Sequence, residues 1–440
     1  MDKIDTKKIL NLFTYLVLLV VPFLKFFSMN LEMFGLMNNY DNINPAIILY
    51  ISVPFLIFIY IKNIKDKKRK LDLCDYLFYV LIFVGIISVI FSIDKSLAIF
   101  GKDFRHEGFL SIMCYYLLFI NWKVNGKKED IKKIIKFIII LGIINSIYAL
   151  FQMYTNFDFI FIYNDNGKMA SGLCGNPNFF GSLMTTILSM VTCMFLVNKK
   201  NSLKLVLLII LFFISLINCQ STGPILSYII CLIFFIIFLF IKKYNILKRF
   251  LILFIILILT YISIYFININ FLSDNKCETC VSSLQTTISN GGNGRIKIWK
   301  NSLDMIKDNF IVGIGFDNFY LKYPNPKMES GIKLTITDIL SSNSQPKVIY
   351  NVVDNAHNIY LHTLVSNGII GLVPYLLLCL LTFIKGLKSK DELTFILLSG
   401  FVVYSVQAFA NISVIQVAPI YYIIIGLILS MENLKKENKK

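Results

Sequence analysis

Charge is scarce in this sequence. Only 16% of its 440 residues are charged, whereas soluble domains carry about a quarter. Hydrophobic residues make up 56% of the chain and the mean hydropathy is +0.70. Long apolar runs recur along the whole length. The shortage of charge excludes an ordinary soluble domain and predicts an all-α bundle of membrane-spanning helices.

Twelve apolar runs approach the roughly 20 residues that a helix needs to cross a bilayer. The first run follows a basic start but lacks a small-residue cleavage site, so it is predicted to be retained as a helix. The predicted organisation is spans 1–9 in 1–268, an outer loop subdomain in 269–366, spans 10–12 in 367–431, and a basic tail in 432–440. The twelve predicted spans are 9–27, 46–61, 76–93, 108–121, 134–152, 178–197, 204–219, 223–241, 249–268, 367–384, 393–410 and 414–431.

Acidic residues are fewer than basic ones, with 26 Asp and Glu against 43 Lys and Arg, which gives a net charge of +17. In a soluble protein this excess would suggest nucleic acid, but here its placement predicts a topological role and no nucleic-acid partner. With the N-terminus taken as cytoplasmic, 29 of the 43 Lys and Arg residues fall in inner segments. Five fall in short outer segments, and nine fall in the long segment 269–356. Both termini are therefore predicted to be cytoplasmic, with the long segment facing outward.

Histidine is rare, and two of the three histidines lie in DNAHNIYLHTLVSNGIIG, residues 354–371. His357 is either an interfacial capping residue or a general base, because neutral imidazole accepts a proton at ordinary pH. Asn355 and Asn358 are placed to orient its ring by hydrogen bonds. His362 falls on another part of the helix face and is interpreted as packing, while the role of His106 stays open.

The long outer segment contains a second helical pattern. GGNG supplies a flexible entry, Asn293 is a candidate cap, and Arg295 falls in the first turn. FIVGIGFDNF then predicts a tight turn at Gly313 and Gly315, and the polar stretch 316–350 is interpreted as a mobile flap. The apolar residues at helical spacing are Ile296, Trp299, Leu303, Ile306 and Phe310.

Two outer arginines allow opposite interpretations. Arg295 is either a solvated or snorkelling charge or a diphosphate ligand, because a planar guanidinium binds phosphate oxygens through two hydrogen bonds. Arg105 raises the same choice within GKDFRHEG, a short outer loop otherwise poor in positive charge. The outer stretches SGLCGNPNFFGS and NCQSTGPILS are polar and carry no charge.

Cysteine has no dominant pattern. Seven of the nine cysteines are scattered in or near the predicted spans and are interpreted as packing residues. Cys277 and Cys280 form CETC in the outer segment. A single CxxC indicates zinc only weakly, and a local disulfide is favoured if the compartment is oxidising.

The ordered set of motifs resembles the O-antigen ligase and O-antigen polymerase family of membrane glycosyltransferases. The motifs that carry the resemblance are GRIKIW, GIGFDNF and AHNIYLHTLVSNGIIGL, with FRHEGFL and GNPNFFGS upstream. The resemblance covers most of the chain. The expected order of spans around one large outer loop also agrees with it.

The resemblance implies transfer of a glycan from a polyprenyl diphosphate carrier to an acceptor hydroxyl at the outer face of a bacterial cytoplasmic membrane. It implies that His357 is the base and that Arg295 and Arg105 hold the diphosphate. Further substrate contacts are expected at Asn178, Trp299 and Asn358. Diphosphate is a good leaving group, so its charge needs stabilisation more than protonation, and inversion without a metal or cofactor is expected.

One element departs from the family pattern. Many members carry an arginine in an S-R-G-like element between the seventh and eighth spans, where this chain has Thr222 in QSTGPIL. Three alternatives follow from this difference. Either Arg105 and Arg295 bind the diphosphate alone, or Lys297 or Lys300 assists them, or the chain has lost activity. Two other classes stay open: a lipid-linked glycan flippase or other transporter, and a structural partner. A transporter predicts ionisable residues within the spans, and these are almost lacking.

Overall fold

The computed structural model describes residues 5–33, 44–67, 70–102, 105–155, 163–164, 167–197, 202–271, 292, 294–324 and 353–437. In this part of the chain nearly all regular structure is helical. The exceptions are two paired two-residue strands, Tyr163–Asn164 and Gly167–Lys168. The predicted all-α class is confirmed at the level of a polytopic helical protein. Cys277, Cys280, Asn293 and most of the predicted flap lie outside the described residues.

Fifteen helices follow one another along the described residues, and a single 3-10 turn covers Gly172–Cys174. The helices are α1 Thr6–Met33, α2 Ile47–Lys67, α3 Leu73–Ile90, α4 Lys95–Phe100, α5 Phe109–Asn125, α6 Lys128–Tyr154, α7 Pro177–Val197, α8 Ser202–Asn218, α9 Thr222–Ile241, α10 Leu247–Phe271, α11 Arg295–Asp308, α12 Phe319–Lys322, α13 Ile359–Lys388, α14 Glu392–Gln407 and α15 Ala418–Glu437.

Eight of these helices are long and apolar enough to cross a membrane by length and composition: α1, α2, α3, α6, α7, α9, α10 and α13. Three shorter apolar helices, at Leu203–Asn218, Glu392–Gln407 and Ala418–Met431, accompany them. Each predicted span coincides with one helix of the structure. The chain is therefore a membrane protein of many helices, and the number twelve stays a prediction.

Helix α7 lies at the centre of the bundle. In its most apolar window, 94% of the residues are buried inside the protein, whereas α10 buries 17% and presents its apolar side chains outward. Helices α8, α9 and α14 pack around α7, and α15 packs against α5. The outward apolar faces of the peripheral helices fit a lipid environment, where no water is present to penalise them.

The span predicted at 108–121 is α5, and most of its residues are buried. Trp122, Tyr115 and Phe119 of this helix are among the largest fully enclosed side chains in the protein. Asn121 and Lys123 are buried beside them. A helix enclosed by other helices can carry polar residues, because its neighbours satisfy them. This explains why the apolar signal of 108–121 in the sequence is weak, and α5 is not among the helices that are long and apolar enough to cross a membrane.

Ion pairs join the helices at one end of the bundle, which we call the basic end. Lys123 is fully enclosed and pairs with Asp75 at 3.0 Å and with Asp72 at the start of α3. Lys7 pairs with Asp130, which joins the beginnings of α1 and α6. Lys128 pairs with Asp391. These residues all come from segments that the Lys and Arg distribution predicts to face the same side.

Candidate active site

The opposite end of the bundle, which we call the site end, contains the segments 101–102, 105–108, 309–318 and 353–358. Helix α13 is broken near this end at Gly368, whose φ of 62° and ψ of −170° are not helical. A Cβ atom at Gly368 would lie 2.0 Å from the carbonyl oxygen of Ile311. Only glycine allows both the backbone angle and this close approach. The span predicted from 367 coincides with the second segment of α13, and a first segment, 359–367, precedes it.

Backbone hydrogen bonds from the GIGFDNF region replace those that the broken helix loses. Ile314 N donates to Val365 O at 3.0 Å, and Gly315 N donates to Ser366 O at 2.9 Å. On the other side of the break, Ile369 N donates to Phe310 O at 2.8 Å. The predicted turn at Gly313 and Gly315 is thus a docking segment that fixes the first segment of α13.

Helix α11 begins at Arg295 as the sequence predicts, with Gly294 at its cap position. Its buried residues include Met305 and Ile306, which pack in a small second core with Ile314, Phe319 and Val365. Ile296, Leu303 and Phe310 are at least half exposed, so most of the apolar residues in the predicted pattern do not face that core. Helical spacing predicted the helix correctly but not the face that it buries.

Trp299 connects α11 to the segment before α13. Its indole Nε1 donates to the carbonyl oxygen of Ala356 at 3.0 Å, and Ala356 is fully buried. The next residue is His357. A substrate contact was expected for Trp299, whereas its observed contact is with the histidine segment of the protein itself.

His357 lies in this segment with a φ of 50°, a left-handed conformation that is rare for a residue with a Cβ. Its backbone N donates to Asn355 Oδ1 at 3.1 Å. Burial, the charge of Arg295 and the charge of Arg105 lower the pKa of His357 to about 4, and Asp354 opposes them. The imidazole is therefore neutral near pH 7, as a general base must be.

The predicted orientation of the His357 ring by two asparagines is wrong in its details. Asn358 caps the first segment of α13, and its Oδ1 accepts from Leu361 N at 3.0 Å. Asn355 holds the backbone of His357 rather than the ring. Both asparagines instead bond to backbone N–H groups.

Arg105 is held by a carboxylate to which the sequence analysis gave no role. Its Nε donates to Asp354 Oδ2 at 2.9 Å, and its Nη2 donates to Asp354 Oδ1 at 3.2 Å. The guanidinium also lies over the ring of Phe179, 5.5 Å from its centroid. Despite burial, the Arg105 charge keeps the pKa of Asp354 below its usual value. Arg105 thus joins the loop before α5 to α7 and to the His357 segment.

Arg295 has a different environment. It is half-buried, and burial lowers the pKa of its guanidinium, although an arginine keeps its charge. Among the residues that the structure describes, no carboxylate forms an ion pair with Arg295. A partly desolvated cation without an opposite charge is costly, and an anion from outside would compensate it.

Asn178 lies at the start of α7, beside the ring that supports Arg105. Its Oδ1 accepts from Ser221 Oγ at 2.6 Å. This bond joins the GNPN stretch to the QSTG stretch, in which Thr222 is the first residue of α9. The uncharged QSTG stretch, where the family pattern has an arginine, therefore lies next to the GNPN stretch, whose neighbour Phe179 contacts Arg105.

The site also contains two acidic residues that the sequence analysis did not single out. Asp317, a member of GIGFDNF, accepts from Lys102 N at 2.7 Å, and burial raises its pKa to about 6. Burial raises the pKa of Glu107 to about 7. Asp317 and His106 share positive φ values with His357. Such strain concentrates at functional sites, but a sequence gives no sign of it outside glycine.

The fold defines a polytopic helical membrane protein whose site end brings two arginines and a neutral histidine together from distant segments. Residues 205–378 match the family model for O-Antigen ligase (Wzy_C), and this part of the chain is O-antigen ligase-like. The matched range contains Arg295, Trp299 and His357. No curated protein matches the sequence. The match confirms the resemblance over 205–378, the range that contains GRIKIW, GIGFDNF and AHNIYLHTLVSNGIIGL, whereas FRHEGFL and GNPNFFGS lie outside it. Together with the apolar helices, the match indicates a bacterial membrane protein.

Proposed function

We propose that this protein is a membrane glycosyltransferase of the O-antigen ligase or polymerase type. It transfers a glycan from a polyprenyl diphosphate, such as undecaprenyl diphosphate, to an acceptor hydroxyl on a sugar, lipid-linked glycan or protein. The observation that carries the proposal is the placement of His357 near Arg295, close enough for the guanidinium charge to lower the pKa of the histidine. Arg295 is half-buried and forms no ion pair with a carboxylate among the described residues. The family match across this region supports the same reaction class.

In the proposed reaction His357 accepts the proton of the attacking acceptor hydroxyl. The hydroxyl oxygen forms the new bond to the anomeric carbon, and the bond from that carbon to the diphosphate oxygen breaks. The electron pair leaves with the polyprenyl diphosphate. One base on the face opposite the leaving group gives an in-line displacement with inversion.

Arg295 is assigned to the leaving group. A guanidinium forms two parallel hydrogen bonds with phosphate oxygens, and a site with little water strengthens them. Arg105 also lowers the pKa of His357, but Asp354 already neutralises its charge. We therefore assign the main share of diphosphate binding to Arg295 and a supporting share to Arg105. No metal takes part in this proposal.

The proposed location is the cytoplasmic membrane, with twelve spans, both termini inside and the site end outside. The Lys and Arg distribution supports this orientation. The ion pairs among Lys7, Lys123, Lys128 and their aspartates support it further, because they gather the predicted inner segments at one end. The carrier's diphosphate would then lie at the membrane edge, level with the His357 segment.

The decisive experiment measures release of polyprenyl diphosphate by the purified protein in lipid nanodiscs with a polyprenyl-diphosphate oligosaccharide and an acceptor glycan. Wild type should release the carrier and form a longer or transferred glycan. His357→Ala and Arg295→Ala should lower the rate by at least about 100-fold, as for loss of a base or an oxyanion ligand. Lys307→Ala is the matched control, because Lys307 is an exposed cation on the same helix.

Two results would contradict the proposal. Wild type that is folded but inactive with several donors and acceptors would argue against the reaction. Folded alanine variants that keep full activity would argue against the assigned residues. Movement of intact lipid-linked glycan across a vesicle membrane, without release of diphosphate, would favour the transporter class instead.

A further inference from the structure

A small polar cavity lies directly beneath the His357 segment. Its volume is about 60 Å³, and it lies between α5, the first segment of α13 and α15. Polar and aromatic side chains line it together, an unusual composition for the interior of a membrane bundle. The lining includes Glu107, Tyr116, Asn355, His362, Ser366 and Ser413.

Two polar atoms of the cavity lining, His362 Nδ1 and Ser366 Oγ, are buried without a hydrogen-bond partner. Glu107 Oε2 also forms no hydrogen bond within the usual geometric limits, although the Ser413 hydroxyl lies close to this carboxyl group. Buried polar groups in native proteins are nearly always satisfied, if not by protein then by ordered water. The cavity is large enough to hold ordered water.

The hydrogen bonds around Asn355 fix the protonation of His362. Asn355 Oδ1 accepts from the backbone N of His357 at 3.1 Å, so its Nδ2 is the end that faces His362. Nδ2 lies 3.4 Å from His362 Nε2. An amide nitrogen only donates, so His362 Nε2 must be the unprotonated acceptor. The ring proton is then on Nδ1, the atom that lacks a partner in the cavity.

A donor at His362 Nδ1 and a carboxylate oxygen at Glu107 are complementary. A water between them accepts from Nδ1 and donates to Oε2. Tyr115 Oη already donates to the other oxygen, Oε1, at 2.9 Å. With such a water, one chain of hydrogen bonds would run from Tyr115 through Glu107, water, His362 and Asn355 to the backbone of His357.

We propose that His362 and Glu107 are positioning residues that hold His357 in its strained backbone conformation through Asn355 and water in this cavity. The proposal rests on the proposed function for the meaning of His357. It gives His362 a role beyond the packing that the sequence suggests and that its contact with the Phe319 ring, 5.7 Å between centroids, also provides.

The backbone on both sides of the Ala356–His357 peptide bond is then held by side chains, one from α11 and one from the segment itself. Trp299 holds the carbonyl of Ala356 from α11, and Asn355 holds the next backbone N from within the bundle. The left-handed backbone at His357 persists only if its surroundings impose it. Removing the support from His362 frees Asn355 to rotate, and the imidazole then loses its aim at the acceptor hydroxyl.

The test compares His362→Leu, which removes the acceptor, with His362→Gln, which keeps an acceptor oxygen for Asn355. Thr363→Val is the matched control, because Thr363 lines the same cavity but bonds only within its helix, to Ile359 O. The first readout is hydrogen exchange of a peptide that contains the His357 amide. We expect His362→Leu to speed exchange by about tenfold, and His362→Gln and Thr363→Val to match wild type.

The second readout is the transfer reaction. We expect His362→Leu to lower kcat by about tenfold with KM within about twofold, because aim is lost rather than binding. His362→Gln should recover most of kcat. Glu107→Leu should lower kcat similarly, and the double variant His362→Leu/Glu107→Leu should be no worse than either single variant, because all of them break one chain.

Unchanged exchange at His357 in folded His362→Leu would overturn the positioning proposal, whatever the activity. An equal loss in Thr363→Val would overturn it too, since any change to the cavity would then suffice. If His362→Leu fails to fold, His362→Gln becomes the test. Exchange at the His357 amide that is about tenfold faster in His362→Gln than in wild type would then contradict the proposal. If wild type shows no transfer but exchange responds to His362→Leu alone, the proposed function fails and the positioning chain stands.

Discussion

Arg105 and Asp354, 249 residues apart in the sequence, form a two-point ion pair at the site end of the bundle. Both side chains are largely enclosed. The pair fastens a short loop before α5 to the segment that carries His357. It also divides the two arginines into one whose charge is balanced and one, Arg295, that forms no ion pair among the described residues.

Breaking this pair should destabilise the site end. Asp354→Ala leaves the Arg105 charge enclosed without a partner, which costs about 3 kcal/mol for a buried pair. We expect a lower apparent melting temperature in detergent. The double variant Arg105→Ala/Asp354→Ala should recover part of that loss, because the unpaired charge is gone. A double variant no more stable than Asp354→Ala would contradict the ion pair's role in stability.

The pKa of His357 predicts a pH dependence that can be measured without substrate. Only neutral imidazole reacts with diethyl pyrocarbonate, and peptide mass spectrometry distinguishes the chain's three histidines. We expect His357 reactivity to stay constant from pH 7.5 to about 5 and to be half-maximal near pH 4. Arg295→Gln should move the midpoint upward, because a neighbouring positive charge is removed. A wild-type midpoint near 6.5 would contradict the environment described.

The same pKa fixes the sign of the effect on stability. The folded-state pKa of His357 lies below the value of about 6.5 in an unfolded chain, so the unfolded state binds the proton more readily. This group's contribution to stability is complete above pH 6.5 and is lost as the pH falls toward 4. His357→Gln should therefore lose less stability than wild type over that interval, as measured by melting temperature against pH. Equal losses would contradict the depressed pKa.

Gly368 should tolerate no side chain. A Cβ would lie 2.0 Å from Ile311 O on a backbone with positive φ, so Gly368→Ala must move the docked segment. We expect a loss of about 2 kcal/mol or more in the free energy of unfolding. Gly223→Ala, in the first turn of α9, is the control. A Cβ there would lie 3.9 Å from its nearest neighbour, Ala410 O, so alanine should be neutral or slightly stabilising. Equal stability of the two variants would contradict the close docking.

Trp299→Phe isolates a single hydrogen bond. The ring is kept, but the N–H that satisfies Ala356 O is lost, at a cost of about 1–3 kcal/mol for an unpaired buried carbonyl. We expect a folded protein with transfer reduced several-fold and faster hydrogen exchange in the His357 segment. Unchanged exchange would show that the hydrogen bond from the Trp299 indole to Ala356 O does not hold the His357 segment in place.

Much of this architecture could be predicted from the sequence, because apolar runs and charge asymmetry are local signals. Each predicted span coincides with a helix, and the helix that begins at Arg295 was found from spacing alone. The buried face of α11 was not predicted, because periodicity locates a row of apolar residues on a helix but does not tell which other residues pack against it. Ile296 and Ile306 have the same apolar chemistry, yet only Ile306 is buried.

The sequence predicted which residue types belong to the candidate site, but it did not predict which residues contact one another. Arg105, Arg295 and His357 were singled out, and the structure brings them close enough for both arginines to lower the histidine's pKa. Asp354 was not singled out because its partner lies 249 residues away. His362 was assigned to packing because the lone pair that accepts from Asn355 depends on a tautomer, which a sequence does not contain.

Because α13 is broken at Gly368, its first segment, 359–367, is positioned separately from the rest of that helix. The first segment of α13 is held by backbone hydrogen bonds from Ile314 and Gly315, which are contacts between two separate stretches of the chain. Two polypeptides divided between residues 324 and 353 and synthesised together should find each other in the membrane. Such a divided protein would allow the histidine-bearing fragment to be labelled or exchanged by itself, with the arginines left on the other fragment.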